Sequence, residues 1–134
     1  MLCDSPEVKG RLNCSSAAQK FFCRCYEDLD PSLETMCVAH LDGDNHCIHL
    51  SRHDGDKVSA PFPLRSILRT AIELDTAGIL LAHNHPSGDA RPSRLDLAVT
   101  RRLSDLAEAL GCTVFDHLIF AGGACTSFRS LGLL

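Results

Sequence analysis

The stretch Ile79-Leu80-Leu81-Ala82-His83-Asn84-His85-Pro86-Ser87-Gly88-Asp89 passes from unbroken apolar residues directly into polar, turn-forming ones. Four apolar residues behind Gly78 read as a short strand of the kind covered on both faces. A sheet covered on both sides needs helices on both sides, so the rest of the chain is read for them. His83 and His85 stand where this buried strand gives way to its loop. In open α/β sheets that carboxyl-end crevice is where ligands sit.

Outward from the strand, the pattern alternates between helical and extended spacing. Downstream, a polar loop over residues 83–92 leads to a helix over about 94–110, stopped by Gly111. Residues 113–121 read as another strand, Gly122-Gly123 as a turn, and 125–128 as a returning strand. Upstream, Leu64, Ile67, Leu68, Ala71, Ile72 and Leu74 recur at helical spacing, with Pro63 at a plausible first turn. Residues 15–29 read as a further helix, begun at Ser15-Ser16 and closed by Asp30-Pro31. Between these two helices, residues 34–41 and 46–50 form a hairpin about Asp42-Gly43-Asp44-Asn45, and residues 57–60 suggest a third extended piece. The sum is a single α/β (or α+β) layer sandwich, residues 15–134, behind an N-terminal extension over 1–14.

Composition agrees with one globular domain. The chain has 134 residues, 45% hydrophobic and 22% charged, enough to bury a core. Its 13 Lys+Arg against 17 Asp+Glu give a net charge of −4, which disfavours a nucleic-acid binder outside a local patch at Arg91, Arg94, Arg101 and Arg102. No apolar run approaches the roughly 20 residues of a membrane span. The first residues lack a signal-peptide pattern, so a cytoplasmic protein is expected. Eight cysteines without a CxxC pair read mostly as reduced fillers; Cys37, Cys47 and Cys112 lie in or beside apolar runs. Cys23 and Cys25 are expected to pack or face water.

The polar loop carries the chemistry. Two histidines one residue apart project the same way from extended backbone and can grip one metal ion. Asp96, in the first turn of the following helix, can join them to make the three protein ligands of a catalytic Zn²⁺ site. Ser93-Arg94-Leu95-Asp96 is equally a capping box, and lone loop histidines are often no more than hydrogen-bonded. The four together, at the end of a buried strand, favour a metal.

HxH, seven residues, Ser, two residues and Asp resemble the JAMM signature of JAB/MPN-domain metalloproteases, matched by His83, His85, Ser93 and Asp96. AHNHPSGD over 82–89, PSR-x-D over 92–96, TRRL over 100–103, Asp116-His117 and the closing SLGLL resemble the RadC branch of that family. The resemblance covers residues 15–134. It implies a three-layer helix–sheet–helix sandwich of the JAB/MPN, cytidine-deaminase-like type. It further implies a Zn²⁺ held by His83, His85 and Asp96, Glu34 as general base and Ser93 as oxyanion donor. Glu34 opens a strand as the family's glutamate does, while Glu7, Glu27 and Glu73 compete less well. The activity implied is peptide or isopeptide hydrolysis on a protein or peptide substrate.

Two other functions compete. RadC-like proteins carry a DNA-repair label, but no helix-hairpin-helix region like that of full-length members is expected within these residues, and the acidic net charge argues against direct DNA binding. A metal-stabilised interaction module without turnover is the other, although every signature residue is present. A nucleobase deaminase is set aside, since H-x-E and P-C-x-x-C are absent. His40, His46, His49 and His53 read as a solvated hairpin edge rather than a second metal site, His40 facing away from Cys37 and Ala39. His117 reads as a structural hydrogen-bonder and Asp89 as a support for the loop or a histidine. The segment over 52–63 is shorter than the family's and bears prolines, which marks it as the specificity loop. His₂Asp would accept iron or cobalt as well as zinc.

Overall fold

The computed structural model describes residues 11–55 and 62–134. The elements run α1 (Ser15–Tyr26), β1 (Thr35–Leu41), β2 (Cys47–Asp54), α2 (Leu64–Glu73), β3 (Gly78–Asn84), α3 (Arg94–Ala109), β4 (Thr113–Ala121) and β5 (Ala124–Ser127). The extended piece expected over 57–60 lies outside the described residues. β2 runs four residues past its expected end, and α1 stops three residues before its own. No described helix is long and apolar enough to cross a membrane.

The five strands form one sheet in the order β2-β1-β3-β4-β5. β3 and β4 are parallel, and every other neighbouring pair is antiparallel. A parallel pair cannot close through a tight turn, so α3 carries the chain from the end of β3 back to the start of β4. That crossover sets the N-terminus of α3 beside the carboxyl end of β3. Gly78 opens β3 because the Phe115 ring occupies the place a Cβ would take.

Strand alternation sorts the buried residues into two cores. Cys37, Ala39, Leu41, Leu80 and Ala82 pack with Phe21 and Phe22 of α1 on one face. Val38, Ile79 and Leu81 pack with Ile67 and Ala71 of α2 and Leu103 and Ala107 of α3 on the other. The protein is therefore the expected mixed α/β sandwich, with one helix on one side and two on the other. β3 contributes to both cores, as its unbroken apolar run demanded.

One histidine of the hairpin departs from the expected solvated edge, while His46, His49 and His53 are partly exposed. His40 does face away from Cys37 and Ala39, but it is fully buried, because the α2 side of β1 is covered as well. Its Nδ1 lies 3.0 Å from Thr76 Oγ1, and its Nε2 is buried without a hydrogen-bond partner. Burial, with His49 and His53 nearby, pushes its pKa down to about 4. The unfolded chain binds the proton near pH 6.5 and the folded one only near 4, so stability rises with pH between those values. His40 stabilisation is thus complete above pH 6.5 and is lost as pH falls toward 4, by about 3 kcal/mol. Urea unfolding followed from pH 7.5 to 4.5 should show that slope, and His40→Leu should reduce it, leaving the share that His117, whose pKa is also lowered, contributes.

Among the described residues the thiols follow expectation with one exception. Cys14, Cys23, Cys25, Cys37, Cys112 and Cys125 are free. Cys47, expected to be a reduced filler, is disulfide-bonded.

Candidate metal centre

β3 keeps extended backbone through His83, and the two histidine rings converge as their spacing required. His83 Nε2 and His85 Nε2 lie 2.8 Å apart. Asp96 presents Oδ1 at 3.4 Å from the first and Oδ2 at 3.2 Å from the second. Its place follows from the crossover: Asp96 lies in the first turn of α3, which starts beside the strand end. The loop between is closed by Gly88, whose φ of +84° suits a residue without a Cβ.

The capping box and the cluster are one structure. Ser93 Oγ accepts from the Asp96 N–H at 3.0 Å, and Asp96 Oδ2 accepts from the Ser93 N–H at 2.8 Å. A carboxylate oxygen has two lone-pair sites, so the cap leaves Oδ2 capacity toward His85. Ser93 acts as acceptor in the cap, which leaves its own hydroxyl hydrogen to donate. Burial opposes the charge on Asp96, yet the neighbouring His83 and the hydrogen bond from the Ser93 N–H hold its carboxyl below the ordinary carboxylate range.

The far sides of both rings are anchored, and the anchors speak to the tautomers. His85 Nδ1 sits 2.7 Å from the Asp89 carbonyl oxygen. A carbonyl only accepts, so that nitrogen carries the hydrogen and the neutral ring turns a lone pair inward at Nε2. The support from Asp89 is its backbone; its carboxylate is held by Arg91, 2.7 Å away. His83 Nδ1 lies 2.6 Å from His117 Nε2, and His117 Nδ1 lies 2.7 Å from Thr100 Oγ1. Burial first, then the neighbouring His83, depress the pKa of His117 and keep it neutral. Its protons can run either way along this chain. Directed from His83 toward Thr100, they leave His83 Nε2 a lone pair facing that of His85. In that arrangement two lone pairs and a carboxylate converge on one point, a donor set for a cation.

The spacing fits zinc. Ligand atoms held tetrahedrally at about 2.0–2.1 Å from one ion lie about 3.3 Å from one another. The observed separations of 2.8, 3.2 and 3.4 Å bracket that edge. The same donors suit iron and cobalt, so the geometry does not choose among these ions. A second group, Asp42, Asp44 and His46, stands in the β1–β2 turn. There Asp42 Oδ1 already accepts from the Asp44 and His46 N–H groups.

Glu34 joins the cluster from the residue just ahead of β1. Its Oε1 lies 4.0 Å from His83 Nε2, and its side chain is 55% exposed, so it reaches over the cluster from the solvent side. It belongs to a potential ligand group with His83 and His85. The antiparallel register pairs Met36 with His83, which places Glu34 just beyond the paired residues. Asn84 then clamps the chain on both sides of it. Asn84 Oδ1 accepts from the Thr35 N–H at 2.7 Å, and Asn84 Nδ2 donates to the Leu33 carbonyl at 2.8 Å. Tyr26 of α1 ties the same two strands, its hydroxyl shared between the Thr35 and Ala82 carbonyls. Sequence reasoning passed over Asn84, Tyr26 and Thr100. Only Thr100 had a readable signal, one helical turn beyond Asp96 on the same face of α3.

A family model described as the RadC-like JAB domain matches residues 12–133. The chain is 33% identical over 132 residues to a UPF0758 protein of Vibrio cholerae, a match covering 95% of this chain and 80% of that one. It is 39% identical over 104 residues to a UPF0758 protein of Symbiobacterium thermophilum, covering 77% and 44%. To a UPF0758 protein of Rhodobacter capsulatus it is 47% identical over 70 residues, covering 52% and 33%. The chain thus spans less than half the length of the last two relatives.

Proposed function

The chain belongs to the RadC-like JAB family, and from that premise we propose that it is a zinc-dependent peptidase or isopeptidase. The observation that carries the reading is the convergence of His83, His85 and Asp96, with the Glu34 carboxylate 4.0 Å from His83 Nε2. His83, His85 and Asp96 are the ligands in this proposal. Zn²⁺ held by them supplies Lewis-acid polarisation of the scissile carbonyl and lowers the pKa of a water to about 7.

The remaining roles fall to the chain's own groups. Glu34 takes a proton from the attacking water and returns it to the leaving amine. Its exposure lets it meet both partners, and the Asn84 clamp keeps its backbone in place while it does so. Ser93, whose cap uses only its acceptor capacity, donates its hydroxyl hydrogen to the oxyanion. His117 and the Asp89 carbonyl hold the two imidazoles in orientation from behind.

Cleavage of a peptide library by zinc-loaded protein tests the proposal. Turnover lost on chelation and restored by zinc is expected; an inert zinc-loaded protein across peptide and isopeptide libraries would contradict it. Asn84→Ala should lower kcat by roughly ten- to a hundredfold and leave zinc stoichiometry unchanged, since a misplaced base loses its alignment. Metal analysis beside steady-state kinetics checks both halves of that expectation.

A further inference from the structure

A cleft of ≈ 130 Å³ opens directly beside Glu34, His83 and Asp96. Its floor follows from strand register. Met36 is paired with His53 of β2 on one side and with His83 of β3 on the other, so the three side chains form one row across the sheet. Strands lie about 4.8 Å apart, which puts His53 roughly two spacings from His83 with Met36 between them. One wall is α3, through Leu95 and Val99; the other is Phe62 and Pro63, ahead of α2.

That wall of α3 has an unexpected composition for a surface. Leu95, Val99 and Leu103 follow one another at i, i+4 and i+8, and only Leu103 reaches the core. Leu95 is 70% exposed although it adjoins the candidate ligand Asp96. The apolar stripe of the helix therefore continues past the core and out to the reacting groups. Beyond Glu34 and Asp96 themselves, the cleft is bordered by Asp54, which is held by Arg52 at 3.4 Å and accepts from Thr35 Oγ1, and by His53, whose Nε2 lies 3.0 Å from Ser51 Oγ.

We propose that this cleft is the specificity pocket, and that the substrate carries a single aliphatic side chain on the residue adjoining its scissile bond. The proposal rests on the peptidase reading and deepens it. A peptide whose carbonyl lies between Glu34 and His83 has its next side chain about one strand spacing away, which is over Met36. Leu95 and Val99 close on that side chain from α3, and Phe62 from the opposite wall. Burying a leucine side chain there is worth roughly a ten- to hundredfold gain in affinity over glycine.

The chain holds two methionines, so [methyl-¹³C]methionine labelling gives a spectrum in which Met36 is one of two signals. The probes are N-acetyl amino-acid methylamides of leucine, glycine, aspartate and lysine, added to the full chain. The leucyl probe should move the Met36 signal saturably, at concentrations where the other three leave it unmoved. Val99→Trp, which fills the cleft, should abolish that shift. Leu95→Asp, a change at an exposed site that tolerates charge, should weaken it by tenfold or more if the tryptophan variant does not fold. Equal shifts from leucyl and glycyl probes, no shift from any, or a leucyl shift that survives both variants would overturn the pocket. Library turnover is read separately. A Met36 shift without cleavage leaves the pocket and removes the peptidase; cleavage without a preference or a shift does the reverse.

Discussion

Glu34→Gln should lower turnover by roughly 10²–10⁴-fold while the protein keeps its full complement of metal. The substitution preserves the size of the side chain and removes its capacity to take a proton. Glu34 stands 4.0 Å from His83 Nε2, farther than the 3.2–3.4 Å between Asp96 and the two rings, so it approaches the centre without belonging to its tightest shell. Glutamine also keeps the fold, because Glu34 is anchored through its backbone: its carbonyl accepts from Gly55, and Asn84 binds its two neighbours. Kinetics on a cleaved peptide, with metal content measured on the same sample, separate the two roles. Retained activity would remove Glu34 as the base. Loss of metal together with activity would make it a ligand instead.

The double variant His83→Ala/His85→Ala should lose metal and turnover together. Asp96 alone cannot hold the ion, since a single carboxylate supplies one of the three protein ligands that such a site requires. The two rings differ in what their removal costs the fold. His85 is partly exposed, and outside the cluster its ring is held by the Asp89 carbonyl of its loop. His83 is buried and is hydrogen-bonded to His117, so its removal strands a buried nitrogen on a ring that cannot charge. His85→Ala alone should therefore lose metal with little loss of stability, which keeps the test readable if the double variant unfolds.

Much of this arrangement could be read before any coordinates. β4 runs over Thr113–Ala121 as its spacing indicated, and the His-x-His pair and Asp96 meet because strand and helix geometry are local properties. What could not be read depends on which strands become neighbours. Glu34 reaches His83 only through the β1–β3 pairing, and residues so far apart in the chain carry no periodic trace of that contact. The Asn84 clamp has the same origin: a loop-edge asparagine gives no sign that it will bridge Leu33 and Thr35. His40 was misjudged because alternation says which face a side chain takes and not whether a helix layer covers it. Ser93 and Asp96 were weighed as either a helix cap or a metal site, and the geometry serves both, since cap and cluster draw on different lone pairs.

The most direct test of the account is the metal content of protein purified without added metal, beside the His83→Ala/His85→Ala and His85→Ala variants. About one zinc per chain in the parent, and none in either variant that remains folded, is the predicted result. A parent that takes up no metal even when zinc is supplied would contradict it, and would leave Ser93 and Asp96 as a helix cap beside two hydrogen-bonded histidines.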